Sequence, residues 1–105
     1  MELNHYQTKA MTTCLPSSDN LPYMITGLCS EAGEVAGAYK KYIRGDYPKE
    51  QAVNLLKKEI GDVLWYCAGL AQQLNCTLDE IAQQNLYKLQ QRKHHNSIQG
   101  NGDFR

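Results

Sequence analysis

The sequence predicts an all-α protein, an antiparallel bundle of four helices. Apolar residues recur at the three- and four-residue spacing of helices between the prolines, and no stretch alternates for long enough to suggest a strand. Pro16, Pro22 and Pro48 mark the breaks between the segments. Because the connections between the four segments are short, neighbouring helices are expected to run antiparallel.

The four helices follow from these breaks in chain order. The first three are predicted over residues 3–14, 22–43 and 48–74. The fourth begins after Thr77, where TLDE is a capping box in which Thr77 and Glu80 satisfy exposed amides. It is expected to reach Lys93, so residues 1–93 form the helical domain and the polar, glycine-rich residues 94–105 form an irregular tail.

Length and charge exclude several classes of protein. A chain of 105 residues forms one domain. Eleven basic and eleven acidic residues argue against a nucleic-acid binder, but not against a small phosphorylated ligand. No apolar run approaches the ~20 residues of a membrane span, and no signal peptide is apparent. Because the four cysteines lack metal-site spacing, we expect a cytoplasmic protein with reduced cysteines, Cys29 and Cys67 being buried.

Two short motifs place acids beside apolar stripes. EAGEV carries Glu31 at the margin of the stripe of the second helix and Glu34 just outside it. EIGDV carries Glu59 in the middle of the stripe of the third helix and Asp62 at its edge. A carboxylate among leucines loses several kcal/mol of hydration or takes up a proton, so Glu59 is misplaced in a purely structural helix. A solvated face is the ordinary alternative for both pairs.

Facing carboxylates indicate a metal site. Oxygen ligands suit Mg²⁺ or Mn²⁺ better than zinc, and neither pair is the E-x-x-H of di-iron bundles. The three histidines lie near the termini and are not expected to be ligands. Gly33 and Gly61, inside the motifs, indicate either close approach of a ligand or small-residue packing between helices.

The ordered set of motifs resembles one family. GLCSEAGEVAGAYKKYIRGD followed by LKKEIGDVLWYCAGLA is similar to the E-x-x-E, spacer, E-x-x-D pattern of the MazG-like all-α nucleoside triphosphate pyrophosphohydrolases. NLYKLQQR resembles their N-x-x-K segment, YQTKAMTT the opening helix of small members, and GNGDFR an ending found in one branch. The resemblance covers nearly the whole chain, in order.

The resemblance implies a function and a site. The function is hydrolysis of a (deoxy)nucleoside triphosphate to the monophosphate and pyrophosphate, as in nucleotide-pool house-cleaning. The implied Mg²⁺ ligands are Glu31, Glu34, Glu59 and Asp62, with Mn²⁺ as an alternative ion. Glu34 is the first candidate for the general base and Glu59 the second. The predicted substrate contacts are Tyr66, Asn85 and Lys88, whereas Trp65 is either an interface residue or a base-stacking one.

Oligomerisation and two alternative functions complete the expectations. Family members form dimers or tetramers, and Leu64, Trp65 and Ala68 lie off the inner stripe of the third helix, so a homo-dimer or homo-tetramer is expected. The alternatives are a phosphoribosyl-ATP pyrophosphohydrolase, which shares fold and motifs, and a non-catalytic helical partner stabilised by metal.

Overall fold

A computed structural model describes residues 1–103 and contains four α-helices, with no strand in that range. The helices are α1 (Leu3–Met11), α2 (Leu21–Ile43), α3 (Lys49–Gln73) and α4 (Leu78–His94). The predicted helical class is therefore confirmed. The predicted bounds of α2, α3 and α4 agree to within one residue, and a single 3₁₀ turn, Pro16–Ser18, lies in the predicted loop.

The first helix ends three residues earlier than predicted, and its threonines explain why. The Thr12 and Thr13 hydroxyls donate to the carbonyls of Lys9 and Ala10 at 2.6 and 2.7 Å. Such local bonds compete with the continuation of a helix. α1 therefore stops at Met11.

Helices α2 and α3 form a long antiparallel hairpin with local signals at both ends. The Asn20 side chain caps α2 by accepting from the Tyr23 amide at 2.9 Å. After Ile43 the chain turns at Gly45, whose φ of +92° favours glycine, and α3 begins after Pro48. Because the connection is short, residues equally far from the turn lie level with each other on the two helices.

Two glycines set how closely the helices of the hairpin pack. A Cβ on Gly27 would lie 2.0 Å from the Tyr66 ring, and one on Gly69 would lie 2.3 Å from the Met24 sulfur. Each glycine therefore admits a large side chain from the opposite helix, and Met24 is fully buried. Apart from the chain neighbours and the nearby backbone of the same helix, no described atom lies within 4 Å of a Cβ on Gly33 or Gly61. Small-residue packing at those two positions is therefore wrong within one chain.

The remaining helices pack at the C-terminal end of α3. Four buried residues form this core, with Trp65 packed against them: Ala10, Ala68, Ala71 and Leu78. Ala68 was expected at an interface between chains, but it is fully buried here by α1. The two long helices α2 and α3 thus form a hairpin, and α1 and α4 pack at one end of α3. The four helices do not contribute equally to the bundle.

The start of α4 is capped from two directions. Thr77 accepts from the Glu80 amide at 3.1 Å, which confirms the Thr77 half of the capping box. The Leu78 amide donates to the buried side chain of Gln7 at 2.7 Å, and the Asp79 amide donates to Asn4 at 3.1 Å. Side chains of α1 therefore satisfy amides that a helix start leaves unpaired.

Two further expectations concern thiols and membranes. All four cysteines are free. Cys67 is partly buried, and this burial raises the pKa of its thiol. Cys29 is exposed, so its predicted burial is wrong. Within residues 1–103, no helix has the length and apolar character that crossing a membrane requires.

Candidate metal and nucleotide site

Three acids from the two helices of the hairpin meet in one group. Glu31 of α2 and Glu59 and Asp62 of α3 each offer a carboxylate oxygen, and these oxygens lie within 4.8 Å of one another. Glu31 precedes the last residue of α2 by twelve positions, and Asp62 follows the first residue of α3 by thirteen. The two motifs therefore meet because they are almost equally far from the turn.

The group carries uncompensated negative charge. The pKa of Glu31 is raised above its ordinary value by partial burial, then by the charges of Asp62, Glu59 and Glu34, and by a hydrogen bond with Glu59. Within the part of the chain that the structure describes, no lysine or arginine forms an ion pair with any of these carboxylates. Such a group favours binding a cation.

The donor set fits a hard divalent cation. All three ligand atoms are carboxylate oxygens, and the group includes no histidine or cysteine. Oxygen-only sets suit Mg²⁺ and Mn²⁺ rather than zinc. One half-buried acid from each helix and one exposed acid leave a side open to solvent, where a substrate can approach.

A cleft beside the acids has aromatic walls. Its volume is 360 Å³, and it is lined by Glu31, Asp62, Trp65 and Tyr66. A smaller hollow of 220 Å³ adjoins it, sharing Glu31 and Tyr66 and adding hydroxyls from Thr26 and other α2 residues. Tyr66 thus stands between two depressions that both reach the acids.

The side chain of Tyr66 is held in place from several sides. Its ring fills the space left by Gly27, and it lies 6.3 Å from the ring of Tyr23 and 5.0 Å from that of Trp65. The pKa of its hydroxyl is raised by partial burial, then by Tyr23, and further by Glu31 and Asp62. The hydroxyl therefore stays protonated near neutral pH and is able to donate a hydrogen bond to a ligand in the cleft.

Glu34 stands apart from the other three acids. Its side chain is exposed, and it is not a member of the group that shares the 4.8 Å geometry. It is close enough to contribute to the raised pKa of Glu31. Its predicted role as a fourth metal ligand stays a prediction.

Asn85 and Lys88 line a different depression. This 260 Å³ hollow on α4 also involves Ile81 and Gln84 and includes none of the acids. The Lys88 ammonium donates to Asp103 Oδ1 at 2.9 Å. Within one chain, the predicted phosphate contacts and the acid group are therefore separate.

The tail folds back on α4 through a buried arginine. Arg92 is only 7% exposed and donates to the Gly102 carbonyl at 3.3 Å and to Asp103 Oδ1 at 3.1 Å. Its Nε is buried and lacks a partner within residues 1–103. The end of the predicted tail motif, Phe104 and Arg105, lies outside the described residues.

One other hollow has a similar size but different chemistry. It measures 350 Å³, lies between α1 and the start of α4, and is lined mainly by amides and hydroxyls. Gln7 and Asn4 on its wall already cap α4. It contains one carboxylate, Glu80, so it lacks the multiple acids of the cleft.

Fold and site together define a class: an all-helical chain with a candidate oxygen-donor metal site between two antiparallel helices. The family model of the MazG nucleotide pyrophosphohydrolase domain matches residues 20–97. The chain therefore belongs to this family. It is also similar to the gene 37 protein of Mycobacterium phage L5, with 41% identity over 115 aligned positions that cover 100% of both chains. No solved structure gives a significant match.

Sequence reasoning missed two contacts at this site. The sequence left Trp65 as either an interface residue or a base-stacking one, and the structure places it in the wall of the cleft with Asp62 and Tyr66. The sequence predicts an irregular tail around Asp103, yet this carboxylate accepts hydrogen bonds from Lys88 and Arg92. The available signals were the four-residue spacing of Lys88 and Arg92, which places both on one helix face, and the glycines that flank Asn101 and allow the chain to turn back.

Proposed function

We propose that the protein is a Mg²⁺-dependent nucleoside triphosphate pyrophosphohydrolase that releases pyrophosphate and a nucleoside monophosphate. The observation that carries the proposal is the convergence of Glu31, Glu59 and Asp62 within 4.8 Å, without a basic partner in the described chain. Membership of the MazG family supports the same chemistry.

The acids have two different tasks in this proposal. Glu31, Glu59 and Asp62 hold the cation, with Mn²⁺ as an alternative ion. When bound, such a cation neutralises phosphate charge and lowers the pKa of a coordinated water. Glu34 is exposed beside the group and is not needed to complete it, which supports its role as the base that takes the proton of the attacking water. Glu59 is the second candidate for that base.

The remaining predicted residues bind the substrate. Tyr66 donates its hydroxyl to the ligand from the wall of the cleft, which its position between the two depressions supports. Lys88 binds phosphate oxygens and Asn85 binds phosphate or sugar. Because both line a separate hollow on α4, a second chain that brings its α4 to the cleft is the simplest way to combine them.

An oligomer is therefore part of the proposal, and the surface of the chain supports it. The accessible surface is 7826 Å², whereas a compact monomer of 11.9 kDa exposes about 5,900 Å². The radius of gyration is 16.4 Å, against about 13 Å for a compact domain of this length. Within residues 1–103, five large apolar or aromatic residues are more than half exposed on the three longer helices: Tyr39, Ile43, Ile60, Leu86 and Tyr87. Such exposure marks interfaces.

The experiment that tests the function is a substrate panel. Pyrophosphate release is measured with Mg²⁺ for eight (deoxy)nucleoside triphosphates and for phosphoribosyl-ATP, and light scattering gives the mass. We expect release from at least one triphosphate and a mass of at least two chains. Release from phosphoribosyl-ATP alone would favour the related enzyme instead. Mg²⁺ binding without release from any compound would favour a non-catalytic helical partner.

A further inference from the structure

Trp65 is a component of the cleft to which the proposed reaction gives no role. It lies three residues after Asp62 on α3, so both side chains project from the same side of that helix. It lines the 360 Å³ cleft together with Glu31, Asp62 and Tyr66. It is also the single tryptophan of the chain.

The indole ring is fixed from behind by α1. Its Nε1 donates to the Thr13 hydroxyl oxygen at 2.8 Å and to the Ala10 carbonyl at 3.2 Å. The Thr13 hydroxyl in turn donates to the Ala10 carbonyl at 2.7 Å. The ring packs against the core around Ala68 and meets the ring of Tyr66 edge-on, with an interplanar angle of 79°. Because the indole Nε1–H is already hydrogen-bonded to α1, the rest of the ring presents an apolar surface to the cleft, and its orientation is fixed.

The chemistry of a nucleotide places its nucleoside near this surface. Release of pyrophosphate breaks the bond between the α- and β-phosphates, so the α-phosphate must lie at the acids. The sugar is joined to the α-phosphate through one ester oxygen, and the base follows directly. The nucleoside therefore occupies the space beside the acids, and Trp65 and Tyr66 are the aromatic walls of that space.

We propose that Trp65 is the nucleobase contact of this site: its indole packs against the base of a nucleotide whose phosphates are held at Glu31, Glu59 and Asp62. The proposal rests on the proposed function, because the phosphates would be held at the acids through the cation that the acids bind. Aromatic contacts of this kind strengthen binding about five- to a hundredfold and accept any base. Trp65 thus selects a nucleoside polyphosphate over a polyphosphate that has no base, and Thr13 is its positioning residue.

The wild-type protein provides the first test through its fluorescence. Because Trp65 is the single tryptophan, emission near the tryptophan maximum reports on this side chain. The protein is titrated, with Mg²⁺ present, with an α,β-methylene nucleoside triphosphate, which cannot release pyrophosphate, and separately with inorganic tripolyphosphate. We expect the nucleotide analogue to quench the emission and to bind about tenfold or more tightly than tripolyphosphate, which leaves the emission nearly unchanged. Equal affinity and equal quenching by both ligands would overturn the proposal.

Three variants separate stacking from folding. Their affinities are measured by titration calorimetry, because the Trp65 variants lack the fluorophore. We expect Trp65→Leu to weaken binding of the nucleotide analogue about tenfold and to leave tripolyphosphate binding unchanged, with the affinity of Trp65→Phe lying between. Thr13→Val keeps the indole but removes the hydroxyl that accepts its hydrogen bond; we expect less quenching and a smaller loss of affinity for the analogue. If circular dichroism shows that Trp65→Leu does not fold, Trp65→Phe and Thr13→Val still test whether Trp65 contacts the base.

The outcomes distinguish this proposal from the proposed function. Pyrophosphate release with normal KM in all three variants would overturn the role of Trp65 and leave the hydrolase intact. A wild-type protein that binds no nucleotide analogue would overturn both.

Discussion

The acid group of the hairpin and the basic face of α4 differ in whether their charges are paired within the chain. In the acid group, like charges from two helices come together with no basic partner in the described chain, and the pKa of Glu31 rises as a result. On α4, Lys88 and Arg92 share one oxygen of Asp103, and the pKa of Asp103 falls. Within residues 1–103 the chain therefore compensates the charge of α4 from its own tail and does not compensate the charge of the acid group.

This difference indicates where binding free energy is available. Ion pairs that already satisfy each other gain little when a ligand arrives, because the ligand must compete with Asp103. A repelling group gains most, because a cation both removes the repulsion and supplies new bonds. The acid group should therefore dominate activity and ligand-linked stability, and the α4 face should have smaller effects.

The largest expected effect is the loss of turnover in Glu59→Gln. Glu59 is half-buried in the group. In the proposed mechanism its removal would both weaken metal binding and displace the attacking water. A displacement of about 1 Å costs about a hundredfold in rate, so we expect kcat to fall at least that far. Pyrophosphate release is the measurement. Glu50→Gln, an exposed glutamate in the first turn of the same helix, is the matched control and should keep its activity. Near wild-type turnover in Glu59→Gln would end the catalytic interpretation of the group.

The next effect is stabilisation by Mg²⁺. A ligand that binds only the folded state adds about 2.7 kcal/mol to the free energy of unfolding at a hundredfold excess over Kd, so Tm should rise by roughly ten degrees or more. Glu59→Gln should show a much smaller rise, whereas Glu50→Gln should match wild type. Calorimetry with and without Mg²⁺ measures both.

The Tm of Glu59→Gln in the metal-free protein tests the repulsion between the acids directly. Removing the charge of Glu59 relieves Glu31 and Asp62, so Glu59→Gln should melt at a higher temperature than wild type when EDTA is present. A lower Tm than wild type under these conditions would mean that Glu59 is not part of a repelling cluster.

A smaller effect is expected on α4. Lys88→Ala should raise KM several-fold and leave kcat nearly unchanged, because a phosphate contact made equally in the ground and transition states affects binding alone. Steady-state kinetics give the two constants separately. Lys93→Ala, an exposed lysine near the end of the same helix, is the control. A fall in kcat with constant KM would place Lys88 in the chemical step instead.

The smallest effect concerns Asp103 and pH. The pKa of Asp103 is lowered by Lys88 first and then by Arg92. A depressed folded-state pKa contributes stability above the unfolded value, near 3.8, and that stability is lost as pH falls through the folded-state pKa. Asp103→Asn should therefore lower Tm slightly at pH 7 and make progressively less difference as the pH falls below 3.8, the ordinary pKa of an aspartate.

Asp46→Asn is the matched control for this measurement. The pKa of Asp46 is lowered by Arg44, but Arg44 is 57% exposed whereas Arg92 is 7% exposed. We expect the smaller change in Asp46→Asn, because an exposed arginine that loses its partner is still hydrated. An equal or larger change there would contradict the role of Asp103 as the counterion of a buried arginine.

Local sequence signals were sufficient to predict the bounds of α2, α3 and α4 and to place the acids on the helix faces that meet in the hairpin. Proline breaks and caps such as Asn20 and Thr77 act within a few residues, so the bounds of α2, α3 and α4 followed closely. Glu59 stood out because a charged residue in an apolar stripe is visible from helical spacing alone. Glu31 and Asp62 followed from the same spacing on the two arms of one hairpin.

The errors arose where distant parts of the chain meet. Ala68 was assigned to an interface because α1 was not known to cover it, and Cys29 was assigned to the core although the described chain leaves it exposed. The surface excess, rather than the residues around Trp65, now supports an oligomer.

The sequence by itself determined the helical class, the bounds of α2, α3 and α4, and the side of the helix on which Glu31, Glu59 and Asp62 lie, because helical periodicity and capping depend on neighbours within one or two turns. Only the tertiary structure decided the surroundings of Trp65, whose indole is bonded to Thr13 from 52 residues away, and the pairing of Lys88 with Asp103. These contacts depend on how α1 and the tail pack on the other helices, and no local spacing records that packing.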